Sequence, residues 1–501
     1  MTFGPPPPPP PHRTGPGRAL PEAPRALLAG SLFSGALAAW LLPGSPAGLG
    51  LFLVALAVTA SVATSRPRSV GSETVLYAVL GLGLAAMTLV RAAEWVVAVD
   101  ALFALGLACV AVVGGSTWGQ VIRAPFAVLA RVPASWPFLW RGARLPVRRS
   151  GRLSPVLRGA GLAALLVGVF GALFASADRA FAHLAAEALI PQWDLDLVPL
   201  RVVVFGAVVT MTAAYAAAGP RFAALGSPWP LRVTLWGAAL DEKAPAPRRV
   251  GRTEWAIALG SLDLLFGAFV AVQLAVLFGG HDHVLRTAGL TYAEYAREGF
   301  FQLLAVGGLT LGVVAGTVRW AARNGGRDAL LLRALLGILC ALTLVVLVSA
   351  LRRLGLYEES FGFTRARVSA HAIILWLGAV LILLMAAGVR WRGWWLPRAV
   401  IGLTAAGLLA FTGADPDALV ASRNVARYRE TGKIDLMYLS TLSADAVPAL
   451  TELPAELEGC VLDGPREELV RPEPWHSWNL GRERARDVLR TAATCHRERA
   501  T

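Results

Sequence analysis

Ala329-Leu-Leu-Leu-Arg-Ala-Leu-Leu-Gly-Ile-Leu-Cys-Ala-Leu-Thr-Leu-Val-Val-Leu-Val-Ser-Ala-Leu351 is an apolar stretch with one charged residue, and Arg352-Arg-Leu-Gly-Leu-Tyr-Glu-Glu-Ser-Phe-Gly-Phe-Thr-Arg-Ala-Arg367 follows it directly. An α-helix rises about 1.5 Å per residue, so the apolar stretch is long enough to cross a hydrocarbon core of about 30 Å. The second stretch carries more charge than lipid tolerates without pairing. We therefore predict a membrane-spanning helix that ends in a polar, aromatic loop at one membrane surface.

About ten further apolar stretches of spanning length occur along the chain. They lie at about 26–42, 47–64, 74–93, 95–115, 157–177, 198–218, 255–279, 299–320, 369–389 and 395–413. The composition agrees, because 55% of the residues are hydrophobic and 16% are charged, whereas about 25% are charged in an average soluble domain. The predicted fold class is all-α: a polytopic transmembrane helix bundle of about 11 spans with a small helical C-terminal tail domain.

The formal net charge of +14 comes mainly from arginines in short loops beside apolar stretches. This arrangement is typical of the positive-inside rule, and it indicates the lipid bilayer rather than nucleic acid as the partner. With a cytoplasmic N-terminus, an odd number of spans places the C-terminus on the extracytoplasmic side of the cell membrane. Arg352–Arg367 is an exception to the rule, since the count puts its four arginines outside.

The composition divides the chain into five regions. A run of prolines, Pro5–Pro11, predicts an extended and disordered N-terminal tail. Trp136 and Trp140 lie among arginines, which suits an interfacial segment as well as a plain basic linker. The regions are a disordered Pro-rich tail at 1–25, a four-span membrane segment at 26–115, a basic cytoplasmic linker at 116–158, a membrane core with polar extracytoplasmic loops at 159–413, and a helical C-terminal tail at 414–501.

Helix signals recur in the C-terminal region. Asp415-Pro416-Asp417 predicts a helix start, with Asp415 as the N-cap and proline in the first turn. Gly432 is suited to end that helix, because glycine adopts the left-handed conformation at low cost. Asp435 and Ser443 predict the starts of two further short helices.

A second polar, aromatic stretch, Gly289–Phe301, would lie on the same side of the membrane as Arg352–Arg367. Opposite charges on the two stretches can pair at the membrane boundary. Tyrosines at an interface are also common lipid anchors, so ligand contact and anchoring both stay open. The candidate ligand or ion-pair surface comprises Tyr292, Glu294, Tyr295, Arg297, Tyr357, Glu358, Arg365 and Arg367.

The sequence offers little catalytic chemistry. His281-Asp282-His283 provides two imidazoles, but no third zinc ligand follows at a recognisable spacing. No P-loop, nucleophile elbow or His-Glu-x-x-His motif is present. We therefore predict no catalytic, cofactor-binding or metal residues. Asp263 lies inside a predicted span, where an ionisable group should face protein or a watery cavity.

Two cysteines, Cys460 and Cys495, lie outside the predicted spans. In an exported tail they would be expected to form a disulfide that closes a loop of about 35 residues. The alternative is a pair of free thiols in a cytoplasmic tail.

Three segments resemble a known family: Thr291-Tyr-Ala-Glu-Tyr-Ala-Arg-Glu-Gly-Phe-Phe-Gln302, Leu356-Tyr-Glu-Glu-Ser-Phe-Gly-Phe-Thr-Arg365 and Asn424-Val-Ala-Arg-Tyr-Arg-Glu-Thr-Gly-Lys-Ile-Asp435. They are similar to bacterial multi-pass membrane proteins catalogued as domain of unknown function 4173. The resemblance implies an integral membrane protein with no established activity, cofactor or catalytic residue.

Three functions fit these observations. The first is a membrane-embedded binding or sensory protein that uses loops 281–301 and 352–367 together with the tail, with an extracytoplasmic ligand or a membrane protein as partner. The second is a transporter, favoured by Asp263 and by glycines within the spans. The third is a membrane transferase that works with scattered polar residues.

Overall fold

The computed structural model describes residues 23–65, 71–143, 197–219, 250–278, 300–322, 325–390 and 393–490. Across these ranges the chain is all-α, and its β-structure is limited to a single bridge between Val250 and Ala321. The predicted fold class, a polytopic helix bundle, is confirmed.

The described ranges contain seventeen α-helices. They are α1 Arg25–Leu41, α2 Leu49–Ala63, α3 Ser72–Ala86, α4 Glu94–Val113, α5 Trp118–Leu129, α6 Val132–Ala143, α7 Val198–Ala218, α8 Arg252–Phe278, α9 Phe300–Trp320, α10 Gly326–Phe361, α11 Arg365–Arg390, α12 Leu396–Gly413, α13 Pro416–Thr431, α14 Leu436–Leu439, α15 Val447–Leu450, α16 Ala455–Val470 and α17 Leu480–Leu489. Short 3₁₀ turns lie at Met87–Leu89, Ala444–Ala446 and Trp475–Ser477.

Eight of these helices are long and apolar enough to cross a membrane: α3 with its 3₁₀ extension, α4, and α7 to α12. Helices α1 and α2 are apolar but shorter. The span predicted at 157–177 lies outside the described residues, as do the proline run, the His281-Asp282-His283 motif and the stretch from Gly289 to Gly299.

The spanning helices pack in two groups. Helices α8, α9 and α11 surround α10 around a core that includes Leu339, Leu347 and Leu381. Helices α3, α4, α5 and α7 share a second core, around Leu84 and Leu107. Helix α12 joins the groups, because it packs against α11 and also against α3 and α4.

Helix α10 is 36 residues long, which corresponds to about 54 Å. It therefore exceeds a hydrocarbon core of about 30 Å, and its C-terminal turns extend beyond the apolar part. The prediction of a loop from residue 352 is wrong, because the helix continues to Phe361. Ala350, Leu354 and Glu358 are buried at helical spacing, so the buried face of the helix continues through the polar stretch.

The C-terminal helices α13 to α17 form a small domain, residues 416–490, that we call the tail. Its apolar core includes Val420, Leu450 and Leu462. The predicted caps are confirmed: Asp415 accepts a hydrogen bond from the Ala418 N–H, and Gly432 has a left-handed φ of 67°. Asp435 caps α14, and Ser443 precedes a 3₁₀ turn.

The tail packs on one end of the bundle, which we call the docking end. This end is formed by the α1–α2, α3–α4 and α10–α11 connections and by the end of α12. The exposed Cys460 lies in α16 of the tail, whereas Cys495 lies outside the described residues, so the disulfide stays a prediction.

The predicted basic linker holds two helices, α5 and α6, that follow α4 at the opposite end of the bundle. Ala124 and Phe138 face the helix bundle and are buried, while Ile122, Phe126 and Trp140 are exposed. Exposed apolar side chains next to a membrane-spanning helix are typical of a segment that lies in the membrane interface, which is one of the two predictions for this linker.

Candidate functional site

Four of the eight residues of the predicted ligand or ion-pair surface lie in the described ranges. One of them, Arg365, binds a buried carboxylate. Arg365, the first residue of α11, donates from Nε to Asp417 Oδ1 at 2.8 Å and from Nη2 to Asp417 Oδ2 at 2.6 Å. This is the two-pronged geometry in which a planar guanidinium binds a carboxylate most strongly. The Asp417 side chain has no solvent exposure, whereas 32% of the Arg365 side chain is exposed.

Two further donors complete the environment of Asp417. Trp95 Nε1 on α4 donates to Oδ1 at 3.1 Å, and the Ser443 N–H in the tail donates to Oδ2 at 2.9 Å. Burial by itself would raise the pKa of Asp417, but the hydrogen bonds from Arg365 and Ser443 outweigh it and hold this pKa below its ordinary value. One tail carboxylate therefore binds the starts of two membrane helices.

Asp415 forms the second charged contact. Its Oδ1 caps α13, and its Oδ2 accepts from Arg91 Nη1 at 2.5 Å. Arg91 also donates to the carbonyl oxygens of Thr412, at 2.8 Å, and of Gly413, at 2.6 Å. The last carbonyls of a helix lack partners within it, so Arg91 satisfies the end of α12 and the start of α13 together. Burial nevertheless raises the pKa of Asp415, against the effect of Arg91.

Asp445 and Asn479 hold the α3–α4 connection. Asp445 Oδ2 accepts from the backbone N–H groups of Ala92, at 2.7 Å, and Ala93, at 2.9 Å. Asn479 Nδ2 donates to the carbonyl oxygens of Thr88 and Arg91, both at 2.8 Å. Burial, together with the negative charge of Asp415, raises the pKa of Asp445 to about 6.

The α10–α11 connection is held by α13. Asn424 Oδ1 accepts from the Phe363 N–H at 3.0 Å, and Asn424 Nδ2 donates to the Phe363 carbonyl at 2.9 Å. Arg427 donates to the carbonyls of Glu359 and Ser360 at the end of α10. The preceding turn has Gly362 at φ 80° and ψ −177°, a conformation that is essentially restricted to glycine.

The other described surface residues also contact neighbouring elements. The Arg367 guanidinium carbon lies 4.0 Å from the centre of the Tyr357 ring, a cation–π distance, and Arg367 donates to the Gly362 carbonyl. Glu358 Oε1 lies 3.3 Å from His371 Nδ1 on α11. All of these residues therefore join α10 to α11 at the docking end.

We define the docking cluster as Arg91, Trp95, Arg365, Asp415, Asp417, Asn424, Asp445 and Asn479. Of the predicted surface residues, the cluster includes only Arg365; Tyr357, Glu358 and Arg367 lie beside it, and the four residues between 292 and 297 are outside the described ranges. Sequence reasoning identified Asp415 as a cap and Asp417 as an acid in the first turn of the same helix, but it gave neither residue a partner outside that helix. It did not identify the remaining cluster residues. Two of them carried a signal in the sequence: Arg91 lies between two predicted spans, and Asn424 is the first residue of a quoted family segment.

The described residues contain no group of three or more His, Cys, Asp or Glu side chains that could hold a metal ion. Within α8, both carboxylate oxygens of Asp263 are buried and accept no hydrogen bond from the described part of the chain. Two polar contacts join the spans of this group: Thr343 donates to Thr310 at 3.3 Å, and Ser349 donates to Gln273 at 3.1 Å.

Comparison with known proteins adds one finding. A family model described as "Domain of unknown function (DUF4153)" matches residues 76–453, about three quarters of the chain. No curated protein and no solved structure matches the chain. The family number differs from the expected 4173, but the kind of family, a domain of unknown function, is as expected.

Proposed function

This chain belongs to the family described as "Domain of unknown function (DUF4153)", and from that premise we propose that it is a membrane-embedded sensory protein. In this proposal the tail faces the extracytoplasmic side and binds a ligand or a membrane protein partner. The docking cluster then transmits the binding event to the membrane helices.

The observation that carries the proposal is that one buried tail carboxylate binds two separate helix groups. Asp417 binds Arg365 of the α8–α11 group and Trp95 of the α3–α7 group. A shift of α13 would change both contacts together, because Asp417 has no solvent to replace a lost partner. Such a shared contact is one physical route by which the two helix groups can be coupled.

The chemistry of the surface residues supports coupling over catalysis. Arg365, Arg367 and Glu358 each contact a neighbouring element of this chain. A catalytic group has to reach a substrate, whereas these charges are engaged in holding helices together. We assign ligand contact to the exposed face of the tail and its neighbouring loops.

Hydrogen exchange of the full chain in nanodiscs tests this coupling. Arg91→Gln removes the hydrogen bonds of the Arg91 guanidinium to Thr412, Gly413 and Asp415. If the tail transmits changes, exchange should also accelerate at Gly362–Thr364, which Arg91 does not contact. The matched control is Arg429→Gln, which removes an exposed tail ion pair to Glu452 and should leave exchange at that connection unchanged.

A thermal-shift screen of small soluble compounds then tests the sensory role. Compounds that stabilise the wild-type chain should slow exchange at both the tail and residues 362–364. Asp417→Asn should uncouple these two responses. The proposal fails if Arg91→Gln changes exchange only at residues 412–418.

A transporter is the second candidate, and Asp263 favours it. A buried carboxylate without a described partner inside a span is typical of ion and proton pathways. Flux in proteoliposomes that is lost in Asp263→Asn and retained in Asp417→Asn would support transport in place of sensing.

A further inference from the structure

Helices α8 and α9 enclose a groove of about 780 Å³ that the docking cluster does not involve. Its walls are mainly apolar and include Trp255, Leu259, Leu262, Val313 and Trp320. This volume is within the range of binding sites for small hydrophobic molecules, which extends to about 1,000 Å³. We propose that the groove binds one acyl chain of an anionic phospholipid.

The length of the groove matches one membrane leaflet. On α8 the lining runs from Glu254 to Leu265, and on α9 it runs from Leu309 to Trp320. Each run corresponds to about 17 Å of helix axis at 1.5 Å per residue. Half of a hydrocarbon core of about 30 Å is about 15 Å, the depth that one acyl chain covers.

One end of the groove is closed by backbone and indole hydrogen bonds. The Val250 N–H donates to the Trp320 carbonyl at 3.0 Å, and the Ala322 N–H donates to the Val250 carbonyl at 2.9 Å. Trp255 Nε1 donates to the Ala322 carbonyl at 3.2 Å. The closed end thus brings tryptophans to the helix ends, where indole rings favour the headgroup level.

At the closed end we assign the anionic headgroup to Arg319, because Arg252 is already paired with Asp328. Arg252 and Arg319 are exposed and lie within two residues of the lining. Glu254 lies at the same end, but its Oε2 accepts the Gly251 N–H at 2.9 Å, and Arg252 has Asp328 at 3.3 Å. In the predicted topology this end faces the cytoplasm, the side on which anionic lipids attract arginines.

The inner wall contains a glycine with free space in front of it. A Cβ at Gly312 would meet nothing within 4 Å, and Gly312 lines the groove. Gly308 lies one turn earlier on α9 with the same free space, but it does not line the groove. Leucine at position 312 should therefore fill the groove, whereas leucine at position 308 should not.

The test uses the full chain in phosphatidylcholine nanodiscs that contain phosphatidylglycerol with a photoreactive group in one acyl chain. We expect cross-links at 254–265 and 309–321, as located by mass spectrometry. Gly312→Leu should lower this labelling about tenfold, the effect of about 1.4 kcal/mol of lost binding, and Gly308→Leu should not. Arg319→Gln should reduce the preference for phosphatidylglycerol over a photoreactive phosphatidylcholine.

Ala258→Leu fills the groove from α8 and replaces Gly312→Leu if that variant does not fold. Equal labelling of all lipid-facing helices, unchanged by either filling variant, would overturn the proposal. So would equal labelling by phosphatidylcholine and phosphatidylglycerol. Absence of lipid labelling combined with a disulfide between chains in Gly312→Cys would assign the groove to a second copy of this chain and reject the lipid.

Discussion

Replacing Arg365 should destabilise tail docking more than replacing its partner Asp417. In Asp417→Asn, Arg365 loses its partner but keeps 32% of its side chain exposed to solvent. In Arg365→Met, the fully buried Asp417 keeps only the Trp95 and Ser443 donors. Breaking a buried pair costs about 3–5 kcal/mol, so we expect about 3 kcal/mol for Asp417→Asn and about 5 kcal/mol for Arg365→Met.

The quantity to measure is the free energy of tail opening, from hydrogen exchange at Val420 and Val425 in α13. Arg429→Gln is the matched control and should stay within about 1 kcal/mol of wild type, because both partners of its pair are more than half exposed. The double variant Arg365→Met with Asp417→Asn should cost less than the sum of the single variants, since the pair is lost only once.

Acidification provides an independent check. In Arg365→Met, burial should raise the pKa of Asp417, so protonation would relieve part of the destabilisation as the pH falls. Equal effects of Asp417→Asn and Arg429→Gln, or strict additivity in the double variant, would refute the assignment of this pair as the principal docking contact.

Three further predictions concern the same end of the molecule. Gly362→Ala should destabilise docking by about 1–3 kcal/mol because of its backbone conformation, while Gly355→Ala, in the interior of α10, should not; thermal unfolding of both variants decides. Because the pKa of Asp445 is raised to about 6 in the folded protein, protonation of this residue stabilises the folded state. This contribution is present in full below the unfolded pKa of about 4 and is lost as the pH rises through about 6. Tail opening should therefore become easier between pH 4 and 7, and Asp445→Asn should flatten that dependence. Ser360→Cys, in a background with both Cys460→Ser and Cys495→Ser, should react with an impermeant thiol reagent in intact cells; labelling only after lysis would reject the extracytoplasmic placement.

The helices of the bundle were largely predictable, because hydropathy over about 20 residues is a strong local signal. Helix α7 has the predicted bounds, 198–218, and α4 and α12 differ by one or two residues. The caps of α13 were also predictable, since Asp415 and Gly432 act on their own backbone. The end of α10 was not, because burial of Leu354 and Glu358 depends on neighbouring helices.

The docking cluster could not be derived from local patterns. Arg365 and Asp417 are 52 residues apart, and hydropathy does not specify which charges meet. Asn424 and Asp445 act on backbone N–H groups of other elements, and any exposed loop could supply such groups. The predicted pairing of opposite charges on the Gly289–Phe301 and Arg352–Arg367 stretches was inferred from membrane side alone, whereas the described partner of Arg365 is Asp417 in the tail.

The Asn479 contacts have a consequence for biosynthesis. Asn479 and Thr88 are 391 residues apart, and Arg482 and Ala47 are 435 residues apart. At about 5–20 residues per second, translation needs roughly 20–80 s to cover the shorter of these distances. During that time the α3–α4 connection lacks the Asn479 amide, and for most of it also the Asp445 carboxylate, that later bind its backbone. Docking of α17 is therefore a late assembly step, and a membrane chaperone or protease could distinguish finished from unfinished chains by the accessibility of residues 88–93.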